Sequence, residues 1–251
     1  MRIRKYLIGT ITCLVGVFAV SSIASAAVTQ LNTTVNLTPA KQDNKVRGPA
    51  SVFFGSEDIH AGLIPCPPGT ATTDQCGAYP PSTRAVVTFT RDFKFTPGNL
   101  PDCNLAAIAG KTTAGARAAC SRSIVGAGSN RNLTTQGQVL NGVITAFNGA
   151  PSGGNPSLYL HVDIAGVTTK PILNGVFRGN VLDVQIPPVP GTVIENFDTS
   201  IVRKVVGRKK GKRIFYLSAR CSKKRWTTTE TVTYQNGQTL SDTVTSRCKQ
   251  K

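Results

Sequence analysis

The sequence predicts a mainly β protein, an antiparallel β-sandwich of the jelly-roll-like or immunoglobulin-like kind with one short helix near residues 104–119. Short segments of alternating apolar and polar residues recur from residue 85 onward. Turns rich in Gly, Pro and Asn separate these segments at intervals of roughly 10 to 15 residues, as in antiparallel all-β folds. Only residues 104–119 have the alanine-rich composition of a helix. These observations favour an antiparallel sandwich or barrel over a helical or parallel fold, and we expect the sandwich.

The predicted elements follow from this pattern in chain order. Residues 85–95 place Val87, Phe89 and Phe93 on one face, and Arg91 interrupts that face, which indicates a bulge or the point where the strand leaves the core. The helix is weakened by Gly110 and Gly115. The other predicted strands are residues 30–37, 51–54, 124–129, 138–147, 158–164, 172–178, 181–186, 193–206 and 214–221.

A hairpin is predicted at the C-terminus, and the hydrophobic pattern fixes its register. A two-residue turn at Asn236 and Gly237 would scatter the apolar side chains over both faces of the hairpin. A three-residue loop at residues 235–237, with Gly237 left-handed, instead pairs Val232 with Leu240. We therefore predict the three-residue loop.

The first 26 residues have the pattern of a secretory signal peptide. Three basic residues within the first five positions precede an apolar run at residues 7–20, and small residues follow at positions 24–26. We expect cleavage after Ala26, and the alternative is an N-terminal membrane anchor. Residues 27–251 are expected to form a single β-sandwich domain without a transmembrane segment. The expected location is secreted, extracellular or cell-wall associated.

Positive charge is concentrated near the C-terminus. Without the first 26 residues, 26 basic and 12 acidic residues remain, a net charge of +14. Residues 27–202 hold 12 basic and 10 acidic residues, so nearly all the excess lies beyond residue 202. Localised charge acts as a binding surface for ions of opposite sign. The predicted basic patch consists of Arg203, Lys204, Arg208, Lys209, Lys210, Lys212, Arg213, Lys223, Lys224 and Arg225.

An anionic polymer or surface is the partner that this patch predicts. Teichoic acids, acidic polysaccharides, extracellular DNA and anionic lipids carry the required charge outside a cell. Specific recognition of nucleic acid is not expected, because only Phe215, Tyr216 and Trp226 interleave with the basic residues, whereas single-strand readers stack bases on aromatic side chains. The alternative is an unspecialised, solvated loop. Nothing in the sequence indicates an oligomeric state.

Six cysteines follow the signal-like segment, and we expect them to form disulfides. An even number in an exported chain favours disulfides over metal ligands or catalytic thiols. Sequential pairing is expected because each consecutive pair brackets a local excursion of the chain, although other pairings satisfy the same count. The expected pairs are Cys66 with Cys76, Cys103 with Cys120, and Cys221 with Cys248.

Residues suited to catalysis or metal binding are sparse. His60 and His161 are the two histidines of the chain. His60 follows Glu57 and Asp58 in what we interpret as a solvated loop, since metal sites need three or more converging ligands. His161 and Asp163 share a strand face, but no sequence feature nominates a nucleophile or third ligand. We expect no metal site and no cofactor.

The sequence therefore favours a non-enzymatic binding or structural module. One alternative is a secreted hydrolase whose site is assembled from scattered acids and hydroxyls, such as Asp163 and Asp183. Another is a carrier of small apolar ligands, which requires a cavity between the sheets.

Several of these features together resemble a group of exported actinobacterial proteins of unknown function. The resemblance rests on Cys103 and the alanine-rich insert, the segment 120–128 (CSRSIVGAG), a late strand ending in Cys221, then Trp226 and a hairpin closed by Cys248. It covers residues 87–251. It implies an exported, mainly β domain and carries over no catalytic or ligand-binding residue.

Overall fold

Alternating apolar residues build a mainly β protein, as predicted. The structure is a computed structural model that describes residues 28–60, 80–134 and 137–251. The expected signal peptide and the expected Cys66–Cys76 pair lie outside the described residues. The strands are β1 (Val28–Thr38), β2 (Lys41–Gln42), β3 (Gly48–Pro49), β4 (Ser51–His60), β5 (Ser82–Thr88), β6 (Phe93–Phe95), β7 (Ile124–Thr134), β8 (Val139–Ser152), β9 (Asn155–Ile164), β10 (Ile172–Arg178), β11 (Val181–Gln185), β12 (Thr192–Ile201), β13 (Val205–Lys209), β14 (Lys212–Phe215), β15 (Leu217–Ala219), β16 (Arg225–Tyr234), β17 (Thr239–Arg247) and β18 (Lys249–Gln250).

Eleven strands form one antiparallel sheet in the order β1-β4-β12-β7-β8-β9-β10-β11-β5-β16-β17. Its two outermost strands, β1 and β17, lie side by side. The Thr33 amide donates to Asp242 Oδ2 at 2.7 Å, and the Ser246 hydroxyl donates to the Val35 carbonyl oxygen at 2.7 Å. We call this junction the β1–β17 seam. Because the sheet curves back on itself, it is nearly barrel-like, and the predicted two-layer sandwich is not confirmed.

The inner face of the curved sheet holds the hydrophobic core. On β9, for example, Leu158, Leu160 and Val162 are all buried among other inward-facing side chains. Close strand approach also shapes the wall: a Cβ at Gly128 of β7 would collide with the Asp198 carbonyl oxygen of β12, so glycine lets these two strands pair. The alternating pattern in the sequence is therefore the pattern of an inner and an outer face.

The predicted strand at residues 85–95 divides at the interruption noted in the sequence. β5 ends at Thr88, a turn containing Arg91 follows, and β6 begins at Phe93. β5 belongs to the large sheet, whereas β6 pairs with β15 in a separate three-stranded sheet. Arg91 thus marks the point where the chain leaves the large sheet.

The single helix predicted near residues 104–119 is two short helices, α1 (Leu105–Ile108) and α2 (Thr113–Ala119). Between them Gly110 has φ +66°, which favours glycine and ends the first helix. The Cys103–Cys120 disulfide joins the two ends of this helical segment. Its buried Ile108 and Ala116 belong to the same apolar cluster as Phe147 and Tyr159 of β8 and β9. The segment therefore covers part of the outer face of the sheet.

The C-terminal hairpin has the predicted register. Val232 pairs with Leu240, the Tyr234 amide donates to the Gln238 carbonyl oxygen at 2.9 Å, and Gly237 has φ +84°. The Cys221–Cys248 disulfide, also predicted, ties the end of this hairpin to the segment that precedes it. Within the described ranges, no helix has the length and apolar character needed to cross a membrane.

Candidate functional site

The first half of the predicted basic patch forms a hairpin of its own. β13 and β14 pair Arg208 with Arg213 and Lys209 with Lys212. Lys210 and Gly211 form the turn, both with positive φ (49° and 76°), as a two-residue turn between twisted strands requires. The basic side chains of this hairpin are exposed, and none of them forms an ion pair with a described residue. We call residues 205–215 the basic hairpin.

Two further residues of the predicted patch are held by the protein itself. The Lys204 ammonium group donates hydrogen bonds to the carbonyl oxygens of Arg122, at 2.9 Å, and Ile124. Burial lowers the pKa of Lys204. The Arg203 guanidinium lies 5.2 Å from the ring centroid of Phe215, in a cation–π arrangement. Lys204 therefore acts mainly as a link between segments of the fold.

The second half of the patch joins cations from the end of the chain. An open depression of about 580 Å³ lies between the segment before β16 and the segment after β17. We call its five basic residues the cationic cluster. They are Lys223, Lys224, Arg225, Arg247 and Lys249.

No carboxylate of the described residues neutralises the cationic cluster through an ion pair. None of the ion pairs among the described residues includes any of its five members. The hairpin register places Arg225 directly opposite Arg247, and like charges opposite each other on neighbouring strands repel. An anion bound in the depression would relieve this repulsion.

The backbone holds the cationic cluster in place. The Cys221–Cys248 disulfide joins its two sides, and the Cys248 amide donates to the Lys224 carbonyl oxygen at 3.0 Å. Lys224 has φ +60°, a conformation that non-glycine residues adopt rarely. β18, which includes Lys249, pairs with β2. The cluster therefore belongs to a cross-linked surface of defined geometry.

A buried carboxylate anchors the chain immediately before the cationic cluster. Asp92 is 3% exposed and accepts hydrogen bonds from Arg220 Nε at 2.9 Å and from the Ser222 amide and hydroxyl at 2.9 and 2.8 Å. Burial alone would raise the pKa of Asp92, but these hydrogen bonds together lower it below its usual value. Asp92 thus holds Arg220 and Ser222, the residues on either side of Cys221, in place before the cationic cluster.

Sequence reasoning found three of the five members of the cationic cluster and missed Arg247 and Lys249. The signal for Arg247 was present, because the register that pairs Val232 with Leu240 also pairs Arg225 with Arg247. The signal for Lys249 was the expected Cys221–Cys248 disulfide, which brings the chain end beside Lys223.

The acids and histidine suggested for enzymatic chemistry have structural partners. Asp163 accepts hydrogen bonds from the Thr113 amide and hydroxyl at the start of α2 and forms an ion pair with Lys170 at 2.6 Å. His161, fully buried, makes a 2.8 Å hydrogen bond from Nε2 to the Lys111 carbonyl oxygen. Burial lowers the pKa of His161. This pair holds the helical segment against the sheet.

Asp183 also serves the fold. Its carboxylate accepts hydrogen bonds from Arg84 Nε and Nη2 at 2.8 and 2.9 Å and from Arg178 Nη1 at 2.8 Å. The hydrogen bonds from Arg84 are the largest cause of its lowered pKa. An acid held ionised by two arginines is poorly suited to donate a proton.

The expectation that the acids near His60 lie in a solvated loop is wrong. Glu57 and Asp58 lie within β4. Their side chains alternate: Glu57 contacts Arg131 at 3.5 Å, while Asp58 lines the interior of the curved sheet. Strand continuation was missed because Ser56, Glu57 and Asp58 are polar on both parities. In the described portion of the chain, no group of three or more His, Cys, Asp or Glu side chains is arranged to hold a metal ion.

Comparisons with known proteins return no match to a family model, to a curated protein or to a solved structure.

Proposed function

We propose that the protein is an exported, non-enzymatic module that binds an anionic cell-wall or extracellular polymer through the cationic cluster. The observation that carries this proposal is the convergence of five cations on one open depression, with no ion-pair partner among the described residues. Phosphate- and carboxylate-rich polymers supply the charge that such a surface lacks. We also propose that the protein is related to the exported actinobacterial proteins that its sequence resembles.

Export is supported by two independent features. The first 26 residues have the composition of a signal peptide. The Cys103–Cys120 and Cys221–Cys248 disulfides are consistent with an oxidising compartment outside the cytosol. We therefore propose a secreted, extracellular or cell-wall-associated location.

The shape of the depression favours a polymer over a compact ligand. It is open to solvent, and five of the residues that line it have long basic side chains. Such a surface can contact several charges along a polymer. Binding releases counterions from the polymer, and this release is less favourable at higher salt concentration, so the affinity falls as salt is added. The basic hairpin adds to the long-range attraction without contributing a concave site.

The test measures affinity for linear polyphosphate and for polygalacturonate at about 50 mM and about 200 mM salt. The triple variant Lys223→Gln, Arg225→Gln and Arg247→Gln removes three charges from the cationic cluster. Each basic residue near an anionic surface contributes about 1 kcal/mol, so the triple variant is expected to bind about 100-fold more weakly at the lower salt concentration.

A matched control removes the same charge from the basic hairpin through Arg208→Gln, Lys209→Gln and Lys212→Gln. We expect this control to lose less than about fivefold, because its exposed charges act at longer range through screened solvent. Equal losses in the two triple variants would show that net charge alone decides binding and would overturn the assignment to the cluster. Affinity independent of salt would overturn the electrostatic proposal itself.

A further inference from the structure

The interior of the curved sheet contains a second candidate site, which is independent of the proposed function. A partly enclosed cavity of about 90 Å³ lies among side chains of β4, β5, β9, β10, β11, β12 and β16. Most of its lining is aliphatic or aromatic, including Phe54, Phe177, Phe197, Leu160 and Val184. An apolar cavity with a few polar groups is the usual form of a small-molecule site.

One end of the cavity is acidic. Asp58 of β4 and Glu230 of β16 both line it, and Glu230 is only 1% exposed. Glu230 Oε2 accepts a hydrogen bond from the Thr33 hydroxyl at 2.9 Å, and Asp58 Oδ1 accepts one from the Tyr234 hydroxyl at 2.6 Å. These donors are neutral, so they orient the two carboxyl groups without supplying a positive charge.

Two further carboxylates, Asp242 and Glu195, lie near this end of the cavity. Asp242 faces Glu230 from β17, and its carboxylate already accepts the Thr33 amide. Glu195 also lines the cavity and forms a 2.7 Å ion pair with Arg131, which also contacts Glu57.

The one histidine near these acids adds no positive charge at neutral pH. Burial, with a smaller contribution from Arg131, lowers the pKa of His60 to about 4. Among the described ion pairs, none brings a cation to Asp58 or Glu230.

Burial of this kind is unfavourable for charged carboxylates. It raises the pKa of Glu230 to about 7 and that of Asp58 to about 6. A ligand with a positive charge offsets the desolvation cost of the ionised carboxylates, because each carboxylate then has an opposite charge beside it in a poorly solvated place. A ligand with a carboxylate adds a third like charge there.

We propose that the cavity binds a small aliphatic amine, whose hydrocarbon part fills the apolar region and whose ammonium group ion-pairs with Glu230 and Asp58. The volume sets the size of the ligand. An apolar protein cavity of roughly 150 Å³ holds benzene. The cavity of about 90 Å³ here suits a smaller molecule with a short branched chain.

The test compares three compounds with the same branched hydrocarbon group: isobutylamine, isobutanol and isobutyrate. Binding to the purified protein is measured by calorimetry and by NMR shifts of the methyl groups of Leu160 and Val184. At pH 8 we expect the amine to bind at least about tenfold more tightly than the alcohol, and isobutyrate to bind most weakly, because desolvated charge pairs contribute strongly. Equal affinity for the three compounds, or no shift of the cavity methyl groups, would overturn the proposal.

Two variants separate the cavity from its acidic end. Glu230→Gln keeps the shape and the capacity to accept hydrogen bonds, so we expect it to lose the preference for amine over alcohol while still binding isobutanol. Ala85→Leu places a larger side chain in the lining and is expected to abolish binding of both compounds. Glu57→Gln on the outer face of β4 is the matched control and is expected to retain the preference. Unchanged preference in Glu230→Gln would contradict the assigned ion pair.

The pH dependence provides a second readout that needs no variant. The amine remains protonated throughout the neutral range, whereas Glu230 and Asp58 ionise as the pH rises through about 7 and about 6. Affinity for isobutylamine is therefore expected to rise between pH 5 and pH 8, with little change for isobutanol. A fall in amine affinity over that interval would overturn the proposal.

Discussion

The C-terminal hairpin contributes to two groups of charged side chains, the exposed cationic cluster and the buried acidic end of the cavity. Arg225 opens β16 and faces Arg247 within the solvent-exposed cationic cluster. Further along β16, Glu230 faces inward beside Asp58 and Asp242 at the acidic end of the cavity. Water and salt screen the exposed cations and weaken the repulsion between them. Burial leaves Glu230 and Asp58 without such screening and raises the pKa of both, which favours their neutral forms.

Solvent exposure decides whether neighbouring like charges are screened by water or are driven towards the neutral form by burial. Each group concentrates charges of one sign, positive at the cationic cluster and negative at the acidic end, but only the cationic cluster is exposed to solvent. At the cationic cluster, solvent screens the repulsion between the cations. The Cys221–Cys248 disulfide and the hydrogen bond from the Cys248 amide to the Lys224 carbonyl oxygen keep the cations together. At the acidic end, desolvation dominates, and protonation is the response. We therefore expect substitutions in the two groups to affect stability differently.

The largest expected effect tests the Cys221–Cys248 disulfide that joins the two sides of the cationic cluster. The double variant Cys221→Ser and Cys248→Ser opens a loop of 27 residues and is expected to lower the free energy of unfolding by about 3–4 kcal/mol. It should also weaken polyphosphate binding, because the two sides of the cluster are no longer joined. Chemical denaturation and binding titrations measure the two effects.

The other disulfide provides the control for this experiment. The double variant Cys103→Ser and Cys120→Ser opens a loop of 17 residues, so a similar loss of about 3 kcal/mol is expected. This loop lies on the outer face of β8 and β9, and polyphosphate affinity should not change. Weaker binding in both double variants, or in neither, would contradict the role given to the Cys221–Cys248 link.

The second effect concerns the acidic end of the cavity. The pKa of Glu230 is about 7 in the folded protein and about 4.5 when unfolded, so the folded state binds more protons between these values. The contribution of Glu230 to stability is therefore complete below about pH 4.5 and is lost as the pH rises through about 7. The loss amounts to about 3 kcal/mol.

Glu230→Gln should abolish this loss. The difference in unfolding free energy between Glu230→Gln and the unsubstituted protein is expected to grow in favour of the variant by about 3 kcal/mol from pH 4.5 to pH 8. Denaturant titrations across this range give the measurement. The control Arg225→Gln, on the same strand, should keep the pH profile of the unsubstituted protein. A constant difference between Glu230→Gln and that protein would mean that Glu230 is already ionised in the fold.

The smallest effect tests screening at the cationic cluster. Arg247→Gln removes the repulsion with Arg225, and we expect the Tm to rise by about 1 °C at low salt. At about 1 M salt, where the screening length is about 3 Å, the rise should disappear. The exposed Arg117 near the end of α2 offers a control, because Arg117→Gln loses a favourable interaction with the helix dipole and should not raise the Tm. A rise that persists at high salt would indicate a cause other than repulsion.

The sequence predicted the local features of this fold well. The register of the C-terminal hairpin followed from the parity of Val232 and Leu240, and Gly237 identified the loop. Arg91 marked the place where β5 gives way to β6. Each of these features depends on residues close together in the chain, and their periodicity or turn chemistry is visible without tertiary information.

Long-range pairing was not predictable from the same patterns. β4 pairs with β12 and β5 pairs with β16, and nothing in the local sequence of β4 or β5 specifies these distant partners. The near closure of the sheet depends on those pairings, as does the burial of Glu230 among side chains from β1, β4 and β17. Glu230 shares its strand face with Trp226 and Val232, which indicates that this face is turned inward, but the local sequence does not show which distant side chains surround the carboxylate there.

The strand order also has a consequence for how the protein folds. β7 to β11 pair with their sequence neighbours, so this segment can form by closing short loops, which is fast. β4 also pairs with β12 and β5 with β16, strands that come much later in the chain, and such non-local pairing slows folding. We therefore expect a slow closing step, in which the last strands complete the wall. The acidic end of the cavity joins Asp58 of β4 to Glu230 of β16, so it would form only in that final step, whereas the cationic cluster lies on the local β16–β17 hairpin.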